Sequence, residues 1–289
     1  MSLNRSRWFV TLIYTLLFVI GVVLYFKLPF ENLVYKLLVI DVVLTVLIAI
    51  VGLLVKNDSM YDPYWSLIPF LMLIYWIDAS HVQEFNARIF IMITLVSWWS
   101  WRLTYNWIRG WKGIKHEDWR YVDLRKKTKS FYPLVSFLGI QLFPTLIVFA
   151  ACLPMESVFM STEALNLTDI IGGMLMLTGI LLEIFADIQM HQFRINPDNK
   201  GNIINIGLWK YSRHPNYLGE ILFWWGVYGL SLATHPPAYY ISGAVTVSLL
   251  FLFISIPMME KRMKNKIGFA EYKKLTPVLI PWKLFGKRK

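Results

Sequence analysis

The chain has 289 residues, of which 56% are hydrophobic and 16% charged, with a formal charge of +11. A soluble domain usually carries about 25% charged residues, so this composition excludes an ordinary soluble domain and reads as an integral membrane protein. The positive charge does not point to nucleic acid, because no reader motif is present and the cations gather in loops flanking apolar runs.

Eight apolar stretches are long enough to be considered as membrane helices: 8–26, 33–55, 63–77, 88–108, 131–153, 169–190, 216–233 and 238–257. The third is short and reads as tilted or partly inserted. The first follows Arg5 and Arg7 as a signal peptide would, but it runs into Tyr25-Phe26-Lys27-Leu28-Pro29 without a small-residue cleavage site. It is expected to stay as a membrane helix. Asp41, in the second stretch, stands without an evident partner in the sequence.

The expected fold is all-α: a polytopic membrane protein of seven to eight transmembrane helices with a cytoplasm-facing cofactor cavity. It forms a single membrane domain, with helices 1–130 on the lipid-substrate side and 131–289 forming the cofactor-binding half. Most cations fall in the N-terminal arm, in the 109–129 connection, in the 194–213 connection and after residue 260. This places both termini in the cytoplasm. A bacterial inner membrane or the endoplasmic reticulum is the expected location. The polar, basic tail with Phe269, Tyr272, Trp282 and Phe285 reads as short amphipathic helices at the inner surface. Cys152 is the single cysteine and lies in an apolar run, so no intrachain disulfide is possible and a buried thiol is expected. No Cys/His cluster has metal-ligand spacing, and no metal is expected.

Polar groups inside apolar spans are expensive and tend to mark function. Asn57-Asp58-Ser59-Met60-Tyr61-Asp62-Pro63-Tyr64 sits at the start of the third stretch. Asp62 before Pro63 can cap that helix, or it can be a buried, protonated donor beside an apolar chamber, with Tyr61 or Tyr64 assisting. Arg102 near the inner end of the fourth stretch can snorkel to the interface or reach a ligand. Glu183, Asp187, His191 and Arg194 follow at spacings of four, four and three, which puts them on one helical face. That face is either an internal ion-pair ladder or the wall of a pocket.

The run from Gly207 to Glu220 follows. It contains Tyr211, Arg213-His214-Pro215-Asn216-Tyr217 and Gly219-Glu220. Pro215 suits the first position of a helix, so Arg213 and His214 stand at a helix mouth, where free N–H groups and the dipole favour anions. Glu260 and Arg262 lie at the inner end of the last stretch. All these groups are expected on one side of the membrane, around a phosphate-bearing cofactor. No GxGxxG run occurs, so a Rossmann site is not expected.

Ala186-Asp187-Ile188-Gln189, Phe193-Arg194, Asn199-Lys200-Gly201, the Gly207–Glu220 run, Glu260-Lys261-Arg262, Tyr272 and Ile280-Pro281-Trp282 resemble the C-terminal half of the steroid 5α-reductase superfamily, closest to its branch known as a domain of unknown function. Trp101-Arg102-Leu103 and Glu117-Asp118-Trp119-Arg120-Tyr121 fit as well. The resemblance implies an enzyme that uses NADPH to saturate a carbon–carbon double bond conjugated to a carbonyl in a steroid-like or other lipid. It implies a cofactor site from Arg102, Asp187, Arg194, Asn196, Lys200, Tyr211, Arg213, His214, Asn216, Tyr217, Glu220, Glu260, Arg262 and Tyr272. Tyr61-Asp62 takes the place of the family's Gln-Glu pair, and Asp62, Tyr61 and Tyr64 are the candidate catalytic residues. The Arg-His-Pro-Asn-Tyr start is shared in part with isoprenylcysteine methyltransferases, so methyl transfer from S-adenosylmethionine to an isoprenyl group or phospholipid is the rival activity. A catalytically inactive lipid-binding membrane protein is the non-enzymatic rival.

Overall fold

A computed structural model of the chain describes residues 1–80 and 86–281. Trp282 and Phe285 lie outside the described residues. The described residues are helical, and a single parallel bridge between Asn202 and Ile267 is the one β-type pairing among them. Five helices are long and apolar enough to cross a membrane: those at Leu3–Lys27, Leu33–Val55, Trp119–Phe159, Leu167–Ile195 and Ala238–Met263. The other three expected stretches are helical too. Two of them, Tyr64–Ser80 and Pro215–Ser231, have only 17 residues each. The third, Ala87–Gly110, carries Arg88, Arg102 and Arg109. The chain divides into two compact units, Met1–Met160 and Ser161–Lys289.

In the N-terminal unit, helices α1 (Leu3–Lys27), α2 (Leu33–Val55), α3 (Tyr64–Ser80) and α4 (Ala87–Gly110) are followed by α5 (Trp119–Thr128), α6 (Tyr132–Val135), α7 (Phe143–Cys152) and α8 (Pro154–Phe159). Helix starts are set by short polar side chains that satisfy the first free N–H groups. Asn32 Oδ1 accepts from Tyr35 N at 2.8 Å, and Asn86 Oδ1 accepts from Ile89 N at 2.9 Å. Between α6 and α7 the chain is π-helical over Ser136–Leu142. The expected span at 131–153 is therefore a broken rod rather than one straight helix.

Leu37, Ile40, Leu44 and Ile48 of α2 recur every three or four residues and are buried, as are Met72, Trp76, Met92 and Trp99 of α3 and α4. By contrast Trp8, Leu12, Leu16, Val19, Val23 and Phe26 of α1 are exposed at the same spacing. In a membrane-spanning helix that stripe is the lipid-facing side, where apolar exposure costs nothing.

The C-terminal unit is built on α9 (Leu167–Ile195) and α10 (Pro215–Ser231), with α11 (Ile241–Leu250), α12 (Ile256–Met263) and α13 (Phe269–Leu275). Asn166 and Asp169 form a capping box that starts α9. The helix ends past the expected residue 190, so Glu183, Asp187, His191 and Arg194 ride on one continuous rod. Helices α9 and α10 run antiparallel with their backbones in contact. A Cβ on Gly172 would fall 2.3 Å from Leu230 N, and one on Gly179 would fall 2.5 Å from Gly219 O. Small residues allow this approach, which dispersion and close packing reward in lipid. The register fixes where Glu183 and the start of α10 meet.

Gly179→Ala is expected to force α9 and α10 apart and cost roughly 1–3 kcal/mol, as overpacking does. The readout is a lower melting temperature of the detergent-purified protein. Gly110→Ala, whose new methyl would meet nothing within 4 Å, should leave it unchanged.

Candidate functional site

Each unit carries one concentration of polar groups. In the C-terminal unit, the segment before α10 folds back on the end of α9. Gly207 has φ +55, and a Cβ there would fall on the Gln189 amide. Leu208 N donates to Gln189 Oε1 at 2.9 Å, and Trp209 Nε1 donates to Ala186 O at 3.1 Å. Tyr272 of α13 donates its hydroxyl to Trp209 O at 2.5 Å. Tail, loop and α9 are thus locked together by side chains that satisfy main-chain carbonyls.

This lock places Arg213 and His214 inside. Arg213 is 4% exposed. Its Nη2 lies 2.9 Å from Glu260 Oε1, its Nη1 donates to Lys273 O at 3.2 Å, and its own N–H donates to Pro277 O at 2.9 Å. Lys273 Nζ closes on Glu260 Oε2 at 3.1 Å. Arg213 and Glu260, both expected to face a cofactor, are therefore joined to each other.

His214 Nε2 stands 3.8 Å from Glu260 Oε1, and the imidazole stacks nearly parallel on Tyr217 with centroids 5.3 Å apart. Burial pushes the His214 pKa down to about 4, against the pull of Glu260, so the ring is neutral at pH 7. Tyr217 in turn packs on Phe251 at 4.8 Å.

A second group of ions adjoins this one. Asp187, Tyr217 and Arg262 are all electrostatic neighbours of Arg194. Lys266, which the sequence reading passed over, joins them: burial lowers its pKa first, and the charges of Arg194 and Arg262 lower it further. Its Nζ donates to Asn202 O at 3.2 Å, beside the Asn202–Ile267 bridge. The stacked His214 and Tyr217 rings connect this cluster to the buried ion pair.

The remaining residues of the expected set have more local surroundings. Asn196 caps the turn Pro197–Asn199 by accepting from Asp198 N at 3.0 Å. Lys200 and Tyr211 are exposed, and Asn216 is half-buried in the first turn of α10. Glu220 accepts from Trp224 Nε1 one turn along, at 3.0 Å. Arg102 is buried on α4, in the N-terminal unit.

In that unit the segment Asn57–Asp62 is tied to the connection before α5. Asn57 Nδ2 donates to Ile114 O at 2.7 Å, and Asp58 N donates to Glu117 Oε1 at 2.9 Å. Asp118 N donates to Ser59 Oγ at 2.8 Å. Buried Asp58 accepts from Tyr132 and Gln141, with Arg125 at 3.6 Å.

Tyr61 and Tyr64 turn away from Asp62. Tyr61 Oη bonds Thr145 Oγ1 at 2.8 Å, and Tyr64 donates to Asp41 Oδ1 at 2.7 Å. Tyr64 is thus the partner that the sequence left Asp41 without. Asp62 accepts instead from Tyr121 Oη at 2.5 Å and from the Trp107 indole. Burial raises its pKa to about 6, although the Arg120 charge and the Tyr121 bond both oppose the rise. Tyr121 lay in a stretch quoted for its resemblance, but no spacing rule connects it to Asp62, 59 positions away.

Pro63, Trp107 and Tyr14, which neighbour Asp62, line a mainly apolar cavity of about 580 Å³ between α1, α3 and α4, together with Tyr64 and Trp111. The Trp111 indole N–H is buried there without a hydrogen-bond partner among the described residues. The chamber therefore combines apolar walls with hydrogen-bond donors, and Asp62 borders it through Pro63 and Trp107.

Fold and motif together define a helical membrane protein related to steroid 5α-reductases. A family model described as "Protein of unknown function (DUF1295)" matches residues 47–276, and the chain belongs to that family. An uncharacterised protein of Schizosaccharomyces pombe is 28% identical over 60% of this chain and 57% of its own length. The 3-oxo-5-alpha-steroid 4-dehydrogenase 1 of Homo sapiens is 32% identical over 39% of this chain and 41% of its own. That of Macaca fascicularis is likewise 32% identical, over 39% and 40%. The chain thus aligns with little more than half of the yeast protein and about two fifths of the two dehydrogenases. No solved structure matches it.

Two measurements check this geometry. Arg213→Ala leaves Glu260 buried against a lost partner and should cost about 3–5 kcal/mol of stability, whereas Lys273→Ala, at a half-exposed position, should cost under about 1 kcal/mol. His214 is neutral when folded, down to about pH 4, while an unfolded imidazole takes up its proton near 6.5. Its contribution to stability is therefore full above pH 6.5 and falls as the pH drops from there toward 4. His214→Gln should flatten that slope in melting curves.

Proposed function

We propose that the chain is a membrane-embedded reductase that uses NADPH to saturate a carbon–carbon double bond conjugated to a carbonyl in a steroid-like or other lipid. The observation that carries this reading is the buried Asp62–Tyr121 pair, which borders an apolar cavity through Pro63 and Trp107. A lipid ring system or chain fits such walls, and its carbonyl needs a donor at one end. With its pKa near 6, Asp62 can give a proton to an oxygen that becomes enolate-like. Tyr121 and Trp107 hold the carboxyl in place, and the apolar walls keep water from competing for the proton.

The C-terminal residues fit a phosphorylated dinucleotide. Arg194, Arg262 and Lys266 are like charges held close enough to depress Lys266, an arrangement that an anion stabilises. The parallel, stacked His214 and Tyr217 rings offer a flat apolar partner. In this reading Arg194, Arg262, Lys266, Tyr217 and Asp187 hold the nucleotide, with Lys200, Tyr211 and Asn216 at hand. Arg213 and Glu260 position the others through their ion pair. NADPH, when bound, supplies the hydride. In this reading α3, α4 and α10 bring the number of spans to seven to eight, and both termini and the nucleotide site face the cytoplasm.

Nucleotide binding to the purified protein tests the reading. Arg194→Ala and Lys266→Ala should each weaken NADPH about tenfold or more, with S-adenosylmethionine failing to compete. Competition by S-adenosylmethionine, or unchanged affinity in both variants, would contradict it. Reductase turnover with an enone lipid should fall about tenfold per pH unit above about 6, as Asp62 loses its proton. Asp62→Asn should lower turnover at least a hundredfold and abolish that pH dependence.

A further inference from the structure

A recess of the N-terminal unit, about 810 Å³, lies apart from the lipid chamber. Its apolar wall comes from Phe9 of α1, Val55 at the end of α2 and Val122 of α5; its cations are Lys56, Lys115 and Arg125. We propose that this recess binds the phosphate headgroup of an anionic membrane lipid, with an acyl chain running along Phe9 and Val55.

Three observations support the assignment. The first is charge. Glu117 is the one carboxylate in the lining, and it is taken up by Arg125 at 2.7 Å and by the Asp58 N–H. Lys56 and Lys115 form no ion pair among the described residues, so the recess keeps an excess of positive charge.

The second is construction. Asn57 Nδ2 donates to both Ile114 O and His116 O, at 2.7 and 3.2 Å, and so fixes the backbone that carries Lys115 against the helix end that carries Lys56. Lys56 itself is left-handed, with φ 55, where glycine would be less strained. Backbone conformation therefore gives no reason for a lysine there, while charge at the rim does.

The third is depth. Phe9 and Val55 belong to helices long and apolar enough to cross the bilayer, Leu3–Lys27 and Leu33–Val55. The cations stand just beyond the end of α2, which is the level of headgroups. Basic recesses at this level between membrane helices suit anionic headgroups. A soluble anion would need the cations but not the apolar wall.

The test is native mass spectrometry of the full chain released from micelles containing phosphatidylglycerol or phosphatidylcholine of equal chain length. Phosphatidylglycerol should be retained about tenfold more, since each lysine near an anionic headgroup contributes appreciably. Lys56→Gln/Lys115→Gln should erase that preference, and Lys115→Gln alone, a change at an exposed loop position, should reduce it severalfold. Lys27→Gln/Lys36→Gln, which removes equal charge from the far ends of these helices, should leave it intact. Inorganic phosphate in excess should not displace the lipid. Equal retention of the two lipids, a preference that survives in Lys56→Gln/Lys115→Gln, its loss in Lys27→Gln/Lys36→Gln, or displacement by inorganic phosphate would each overturn the proposal.

Discussion

The ion pair between Arg213 and Glu260 is the interaction on which the C-terminal unit turns. Both groups are largely withdrawn from solvent, and a buried charge is tolerated only beside its counter-ion. Pairing them brings the start of α10 to the end of α12, which are 47 residues apart. The bonds from Arg213 Nη1 to Lys273 O and from its N–H to Pro277 O then fix the tail. Once these three segments are joined, His214 can lie flat on Tyr217 and Arg194 is brought beside Arg262 and Lys266. The contact of α9 with α10 through their glycines is the second requirement, because it sets the height at which Asp187 and Arg194 arrive.

The N-terminal unit solves the same problem with hydrogen bonds. Asp41, Asp58 and Asp62 lie in a largely apolar unit, and each is met by a tyrosine hydroxyl, from Tyr64, Tyr132 and Tyr121 respectively. The three differ in what else they touch. Asp58 is enclosed by Gln141 and Arg125, and Asp41 lies wholly inside the bundle. Asp62 adjoins the chamber walls. Its neighbours Pro63 and Trp107 line the apolar cavity, as does Tyr64, the partner of Asp41; the proposal gives the acid role to Asp62.

Much of this was legible in the sequence wherever one physical rule acted locally. Hydropathy located the helices, since bilayer thickness fixes their length. Helical periodicity placed Glu183, Asp187, His191 and Arg194 on one rod, and Pro215 marked the start of α10. The sequence reading grouped the Arg-His-Pro run with Glu260 around a cofactor, but it did not show that Arg213 and Glu260 would pair with each other. Periodicity relates residues within one helix, whereas that pair joins two. The same limit hid Tyr121 from Asp62, Tyr64 from Asp41, and Lys266 from Arg194. Tyr61 and Tyr64 were favoured for closeness in sequence to Asp62, yet an N-terminal helical turn sends neighbouring side chains in different directions, here toward Thr145 and Asp41. The break between α6 and α7 was also unreadable, because a π-helical stretch keeps the composition of an ordinary span.

The central claim is that the polar end of an apolar chamber delivers a proton while a hydride reaches the conjugated carbon. The most direct measurement is isotope transfer. The purified protein is supplied with an enone lipid and NADPH carrying deuterium at the hydride-donating carbon, and the product is weighed by mass spectrometry. The account predicts a saturated product with one deuterium, bonded at the carbon β to the carbonyl, and its loss in Asp62→Asn. A lipid that binds and is recovered unsaturated and unlabelled, or one that gains a methyl group from S-adenosylmethionine, would contradict it.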